Sequence, residues 1–221
     1  MVLGGIARWL KPSRARGAGR TRGAGAADAE GRWVVIDVET SGLDPARDVV
    51  LSIGAVAVHG AAIVVADSFE LLVRPQAASP RQNILVHGIG EAAQLGGLDP
   101  QQACGRFLDY VGDAPLVAFH TEFDRAFLAR AVRQHCGTRL GNPWLDLAEL
   151  APALHPQVRA KALDAWLEHF GIVVEQRHDA CSDAFATAML FVRLLAAIAP
   201  AQRTPAALAR RARDARWLPA G

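Results

Sequence analysis

Hydrophobic residues along this chain fall into short β-branched runs and helical stripes. The first run, Trp33 to Glu39 (WVVIDVE), reads as a buried strand. Val49 to Val58 and Ile63 to Val73 share its Val, Ile and Ala content, and the His59-Gly60 break between them predicts a hairpin. Arg74 to Leu98 reads as a loop with room for one short helix, and Asp99 begins a helical pattern that runs through Tyr110. Pro115 to Phe119 (PLVAF) predicts a fourth strand, with Phe123, Phe127, Leu128 and Ala131 at helical spacing behind it. Trp144 to Leu150 reads as a fifth strand running into a helix. Ala162 to Phe170 is a helix closed by Gly171, and Ser182 to Ile198 is a long apolar helix. A hairpin followed by alternating helices and strands belongs to the α/β class, a mixed sheet flanked by helices.

Composition narrows this picture. The chain has 221 residues, 51% of them hydrophobic, enough for one full core and too little for two large domains. One domain over residues 31 to 199 is expected, between a flexible basic arm (1 to 30) and a basic tail or helix (200 to 221), where Pro205 to Leu218 has helical spacing. An organellar presequence is the other reading of the arm. No run approaches the roughly 18 apolar residues of a membrane span, and Arg8 interrupts the early stretch Val2 to Leu10, so a soluble protein without a membrane partner is expected. Cys104, Cys136 and Cys181 lack CxxC spacing and cannot all pair within one chain, which favours a reducing compartment, the cytoplasm, and argues against structural zinc.

The net charge of +2 conceals an asymmetry. Residues 1 to 30 carry six basic and two acidic side chains, residues 200 to 221 five and one, so each end is +4 and the body between them is −6. An acidic body between basic ends fits a polyanionic substrate if divalent cations neutralise the body.

Asp37 and Glu39 stand two apart in an apolar strand, so both carboxylates leave the same face of the sheet. Like charges that close need protons, cations or metal, and the strand has no Lys or Arg. An oxygen-only set suits magnesium or manganese better than zinc. A strand end in solvent is the alternative. Asp124 and Asp183 each fit a first-turn acid of a helix, with Asp179 or Ser182 able to cap the second, and His178 alone fits a surface histidine.

Together these residues make a pattern: D-x-E in a first strand, F-D after a later strand, and H-x(4)-D entering the last long helix. It resembles the DEDDh exonucleases, the DnaQ-like group that includes proofreading subunits of bacterial DNA polymerases, ribonuclease T and oligoribonuclease. VVIDVETSGLDP (34 to 45), VVLSIGAVAV (49 to 58), LVHGI (85 to 89), FDRAFL (123 to 128), ALDAWLEHFGI (162 to 172) and HDACSDAFATAMLF (178 to 191) are all similar to that family's blocks. The resemblance covers residues 33 to about 195 and leaves the tails out.

The resemblance implies a ribonuclease H-like fold with a five-stranded mixed sheet and two divalent ions, magnesium or manganese. It implies that Asp37 bridges both ions, that Glu39 and Asp183 help hold the first, that Asp124 supports the second, and that His178 is the general base. It also suggests Thr40, Leu43, His87 and His120 as substrate-binding residues. Thr40 and Leu43 could instead simply close their turn, and His87 could hold its loop by a hydrogen bond. Two departures stand out: Phe119 and His120 replace a His-Asn pair common before the FD block, with Glu122 beside Asp124, and Ser52 stands where many relatives have Glu. The expected function is 3′-to-5′ exonuclease action on single-stranded DNA, in proofreading or repair and in association with a DNA polymerase. RNA is the close alternative. A non-catalytic binding module and a phosphohydrolase of free nucleotides are the rivals from other classes. The oligomeric state is left open.

Overall fold

The computed structural model describes residues 31–174 and 179–215. Strands β1 (Arg32–Thr40), β2 (Val50–His59) and β3 (Ala62–Leu72) form an antiparallel meander. Helices α1 (Arg81–His87), α2 (Glu91–Leu95) and α3 (Pro100–Val111) follow, then β4 (Leu116–Ala118), α4 (Thr121–Cys136), β5 (Trp144–Asp146) and α5 (Leu147–Leu154). Helices α6 (Leu163–His169), α7 (Ala180–Ala196) and α8 (Pro205–Ala215) complete the described chain. The sheet order is β3-β2-β1-β4-β5, with β4 and β5 parallel to β1, so the expected five-stranded mixed sheet is present. The segment Arg74 to Leu98 holds two short helices where the sequence suggested one, each too short to show a clear apolar period.

Alternation along β1 divides the core in two. Trp33 and Val35 join Val56, Val58 and Val117 under α5, α6, α7 and α8. Val34, Ile36 and Val38 point the other way, into a core with Phe107 of α3 and Phe127, Leu128 and Val132 of α4. The period of two carries Asp37 and Glu39 onto the α7 face, as continuations of the Trp33–Val35 row.

Helix α7 comes unusually close to that face. In the ladder Gly54 of β2 lies between Asp37 of β1 and Glu70 of β3. A β-carbon on Gly54 would stand 2.1 Å from the carbonyl carbon of Ala180, so only glycine admits the first turn of α7 here. At the far edge, α8 packs Leu208 and Ala212 into the core, which makes part of the basic C-terminal piece an integral helix. The arm at residues 1 to 30 and the last residues, 216 to 221, lie outside the described residues.

Candidate active site

Three of the five expected catalytic residues meet. Ligand oxygens of Asp37, Glu39 and Asp183 all lie within 4.8 Å of one another. Each arrives for a local reason. Asp37 and Glu39 share a strand face, and Asp183 sits in the first turn of α7, whose N-cap Asp179 accepts from the Ser182 N–H at 2.9 Å. Gly54 lets that turn down onto the strands, leaving Asp183 only 7% exposed. The first turn of α7 therefore packs on the strand face that carries Asp37.

Asp124 reaches the same strand from the opposite helical layer. It stands in the first turn of α4, is 5% exposed, and accepts hydrogen bonds from its own backbone and from that of Val38, between Asp37 and Glu39. Burial pushes its carboxyl far up, to about 8, and the nearby charges of Asp146 and Glu39 push the same way against those hydrogen bonds. A carboxyl so placed is stabilised in its charged form by a nearby divalent cation. The donor set is all oxygen, as magnesium or manganese requires. His178 lies outside the described residues.

The remaining sequence-derived positions divide. In the turn after β1, Thr40 Oγ1 donates to the Gly42 carbonyl at 2.6 Å, and Leu43 projects into solvent, 84% exposed. The turn is braced from behind. Asp48 accepts from the Ser41 hydroxyl (3.1 Å) and the Asp44 N–H (2.9 Å), and Arg130 of α4 donates to the carbonyls of Pro45 and Asp48. Asn83 of α1 donates to the Ser41 carbonyl. His120 is exposed at the β4–α4 corner. His87 is different: it is 4% exposed, Nδ1 accepts from the Ile89 N–H (3.1 Å), and Nε2 faces the Ser79 hydroxyl at 3.2 Å. Gln94 completes the knot by bonding Ser79 and the Ile89 carbonyl. Both ring nitrogens thus have partners, one before α1 and one after it, which is the loop-holding contact that the sequence left open beside substrate binding. Ser52, where relatives carry Glu, is buried opposite Glu39 and donates to the Leu71 carbonyl at 3.4 Å.

Sequence reasoning missed Gly54, Asp48, Arg130 and Asp146. Asp146 alone had a local signal, an acid at the end of a strand where a helix begins.

A mixed sheet that carries a carboxylate cluster completed by the first turn of α7, with the buried carboxyl of Asp124 beside the same strand, is an all-oxygen arrangement suited to phosphodiester hydrolysis with divalent ions. Residues 34–191 match the RNase T exonuclease family, and the chain belongs to that family. Its fold is ribonuclease H-like, and the family it belongs to is one of exonucleases. It is similar to the DNA polymerase III subunit epsilon of Aquifex aeolicus, 31% identical over 166 residues that cover 75% of this chain and 81% of the relative. A DNA polymerase III subunit epsilon-like protein of Rhodobacter capsulatus is 35% identical over 169 residues, 75% of this chain and 24% of the relative. The PolC-type DNA polymerase III of Thermotoga maritima is 31% identical over 74% of this chain, which spans only 12% of that polymerase. Among solved structures, Exonuclease X in complex with 5′ overhanging duplex DNA superposes with a TM-score of 0.66 at 23% identity, covering 81% of this chain and 99% of that one. E. coli Exonuclease I in complex with a dT13 oligonucleotide gives 0.62 at 18% identity, covering 73% and 40%. These two likenesses are of fold.

Proposed function

We propose that this enzyme removes nucleotides one at a time from the 3′ end of single-stranded DNA, releasing nucleoside 5′-monophosphates with the help of two divalent ions, magnesium or manganese. The observation that carries the reading is the meeting of Asp37, Glu39 and Asp183 within 4.8 Å, with Asp124 brought to the same strand from the other layer. Such ions stabilise the attacking and leaving oxygens of an in-line displacement. Asp37, Glu39 and Asp183 would hold one ion and Asp124, with Asp37, the other. His178, a residue before the α7 N-cap, would accept the proton of the attacking water. Thr40 and the exposed Leu43 would meet the terminal nucleotide, and His120 would line the approach. Similarity to epsilon and PolC-type polymerases supports DNA as substrate and proofreading or repair beside a DNA polymerase as the setting. The three free thiols accord with a reducing cytoplasm.

The test is digestion of matched DNA and RNA oligomers, labelled at either end, with Mg²⁺, Mn²⁺ or EDTA, by the wild type and Asp37→Ala. Ladders shortening from the 3′ end, faster on single-stranded DNA and abolished by EDTA and by Asp37→Ala, are expected. Cleavage persisting in EDTA or in folded Asp37→Ala refutes the metal reading, and faster RNA digestion refutes the choice of sugar.

A further inference from the structure

Asp146 ends β5 and has no part in the carboxylate cluster, yet its carboxylate is fully engaged. Oδ1 accepts from the backbone N–H groups of His120 (3.0 Å) and Ala148 (2.8 Å), and Oδ2 from the backbone N–H (3.0 Å) and hydroxyl (3.2 Å) of Thr121. A carboxylate offers about four acceptor sites. All four go to protein donors, which leaves no lone pair for a cation, although the Asp146 charge stands near enough to Asp124 to raise that carboxyl.

The Ala148 bond is ordinary capping of α5, the helix that Asp146 begins. The other three bonds belong to a different element, the corner where β4 becomes α4. That corner is held in an unfavourable shape. His120 has φ 64° and ψ 59°, the one non-glycine residue with positive φ among the described residues, a conformation that a β-carbon disfavours. Helix α4 also has no side-chain cap from its own N-cap residue, so its first N–H groups need an acceptor from elsewhere. Asp146, 26 residues further along the chain, provides it. Three positions after Thr121, in the turn so fastened, stands Asp124.

We propose that Asp146 is a positioning residue. By clamping the His120–Thr121 corner to the end of β5, it sets where α4 begins relative to β1, and so where the Asp124 carboxylate lies against Val38 and the Asp37–Glu39–Asp183 cluster. The inference rests on the metal-dependent reading above. It assigns Asp146 no contact with substrate or ion. Asparagine in its place keeps the shape but replaces one acceptor oxygen by an NH₂ donor. Because N–H donors face both oxygens, neither orientation of the amide satisfies the corner.

The test compares Asp146→Asn and Thr121→Val with Leu208→Ala, a buried truncation in α8 that serves as the stability control, and with Asp37→Ala. Each variant is assayed for kcat and KM on 5′-labelled single-stranded DNA at 25 °C, for binding of Mn²⁺ alone by calorimetry, and for thermal midpoint without metal. A carboxylate displaced by about 1 Å costs on the order of 10²-fold in rate, so kcat of Asp146→Asn should fall by about that factor. Its KM should change less than about threefold, because the loss is of an interaction used in the transition state. Mn²⁺ binding should weaken. Leu208→Ala should lose at least as much thermal stability while keeping its kcat, and Thr121→Val, missing one bond of four, should lose several-fold in kcat. Asp146→Asn with wild-type kcat, or a loss matched by Leu208→Ala, overturns the proposal. If Asp146→Asn does not fold, Thr121→Val with unchanged kcat and Mn²⁺ binding overturns it equally. An active Asp37→Ala instead overturns the metal-dependent reading beneath it, so the two failures are told apart.

Discussion

Substituting Gly54 with alanine adds one methyl group at the point where α7 crosses the sheet. The new β-carbon would lie 2.1 Å from the Ala180 carbonyl carbon, 2.2 Å from its oxygen and 2.3 Å from the Cys181 nitrogen, all backbone atoms that cannot rotate aside. Carbon atoms rest at about 3.5 Å or more, so the start of α7 must retreat by about 1.4 Å. Overpacking of this kind costs about 1–3 kcal/mol, against the roughly 0.5–1 kcal/mol that alanine otherwise gains over glycine in a strand. The larger effect falls on the site. Asp183 rides on the first turn of α7 and Asp37 lies opposite Gly54, so the displacement separates two members of the cluster by several times the ~0.2 Å tolerance of metal–ligand distances. Activity on single-stranded DNA should fall by about 10²-fold, with a raised Mn²⁺ requirement and a lower thermal midpoint. Gly105 in α3 is the matched control: nothing lies within 4 Å of its β-carbon position, and Gly105→Ala should stabilise the fold by up to about 1 kcal/mol with activity intact. A Gly54→Ala enzyme with wild-type rate and midpoint would show that α7 adapts without cost, and the account of how Asp183 reaches the strands would be wrong.

Three further outcomes are expected. His178→Ala should keep Mn²⁺ and DNA binding but lose about 10²–10⁴ in kcat, together with the acid limb of the wild-type pH–rate profile; a variant within a fewfold of wild type reassigns the base. Deleting residues 1 to 30 should reduce the slope of log affinity against log salt by roughly 0.7 for each phosphate of a single strand that the arm no longer neutralises. That slope is read in Ca²⁺ to suppress cleavage, and identical slopes would detach the arm from the substrate. Arg32 donates to Asp67 at 2.8 and 3.0 Å and holds its carboxyl below the usual range despite burial. Its contribution is therefore present above the ordinary Asp range and lost as pH falls through the depressed value. Asp67→Asn should lower stability near neutrality and flatten that acid loss, which denaturant melts from pH 7 to 2 would reveal; an unchanged acid limb would discount the pair.

Local pattern made much of this protein legible. The period of two in WVVIDVE placed Asp37 and Glu39 on one face without reference to any other element, because strand geometry alone sets which side a residue leaves. Phe123, Phe127 and Leu128 marked α4, and with it Asp124 as a first-turn acid, while Asp179 and Ser182 both stood open as caps of the last long helix and the structure uses Asp179. What the sequence could not contain is the meeting of these elements. That Asp124 comes to lie beside β1, against Val38 and near Glu39, depends on β4 lying beside β1 with α4 folded back behind it, a long-range pairing without local signature. The closeness of α7 depends on the absence of a side chain at Gly54, whose meaning appears only when Ala180, 126 positions away, is packed above it. His87 reads alike as a substrate ligand and as a loop clasp, and only the fold brings Ser79 and Ile89 to its ring nitrogens. Asp146 reads as a cap for its own helix, and only the parallel pairing of β4 with β5 brings the His120 corner within reach of its carboxylate. Periodicity and capping are properties of neighbours in sequence, whereas distances between carboxylates on four different elements are set by backbone packing, and backbone packing is decided by the whole fold.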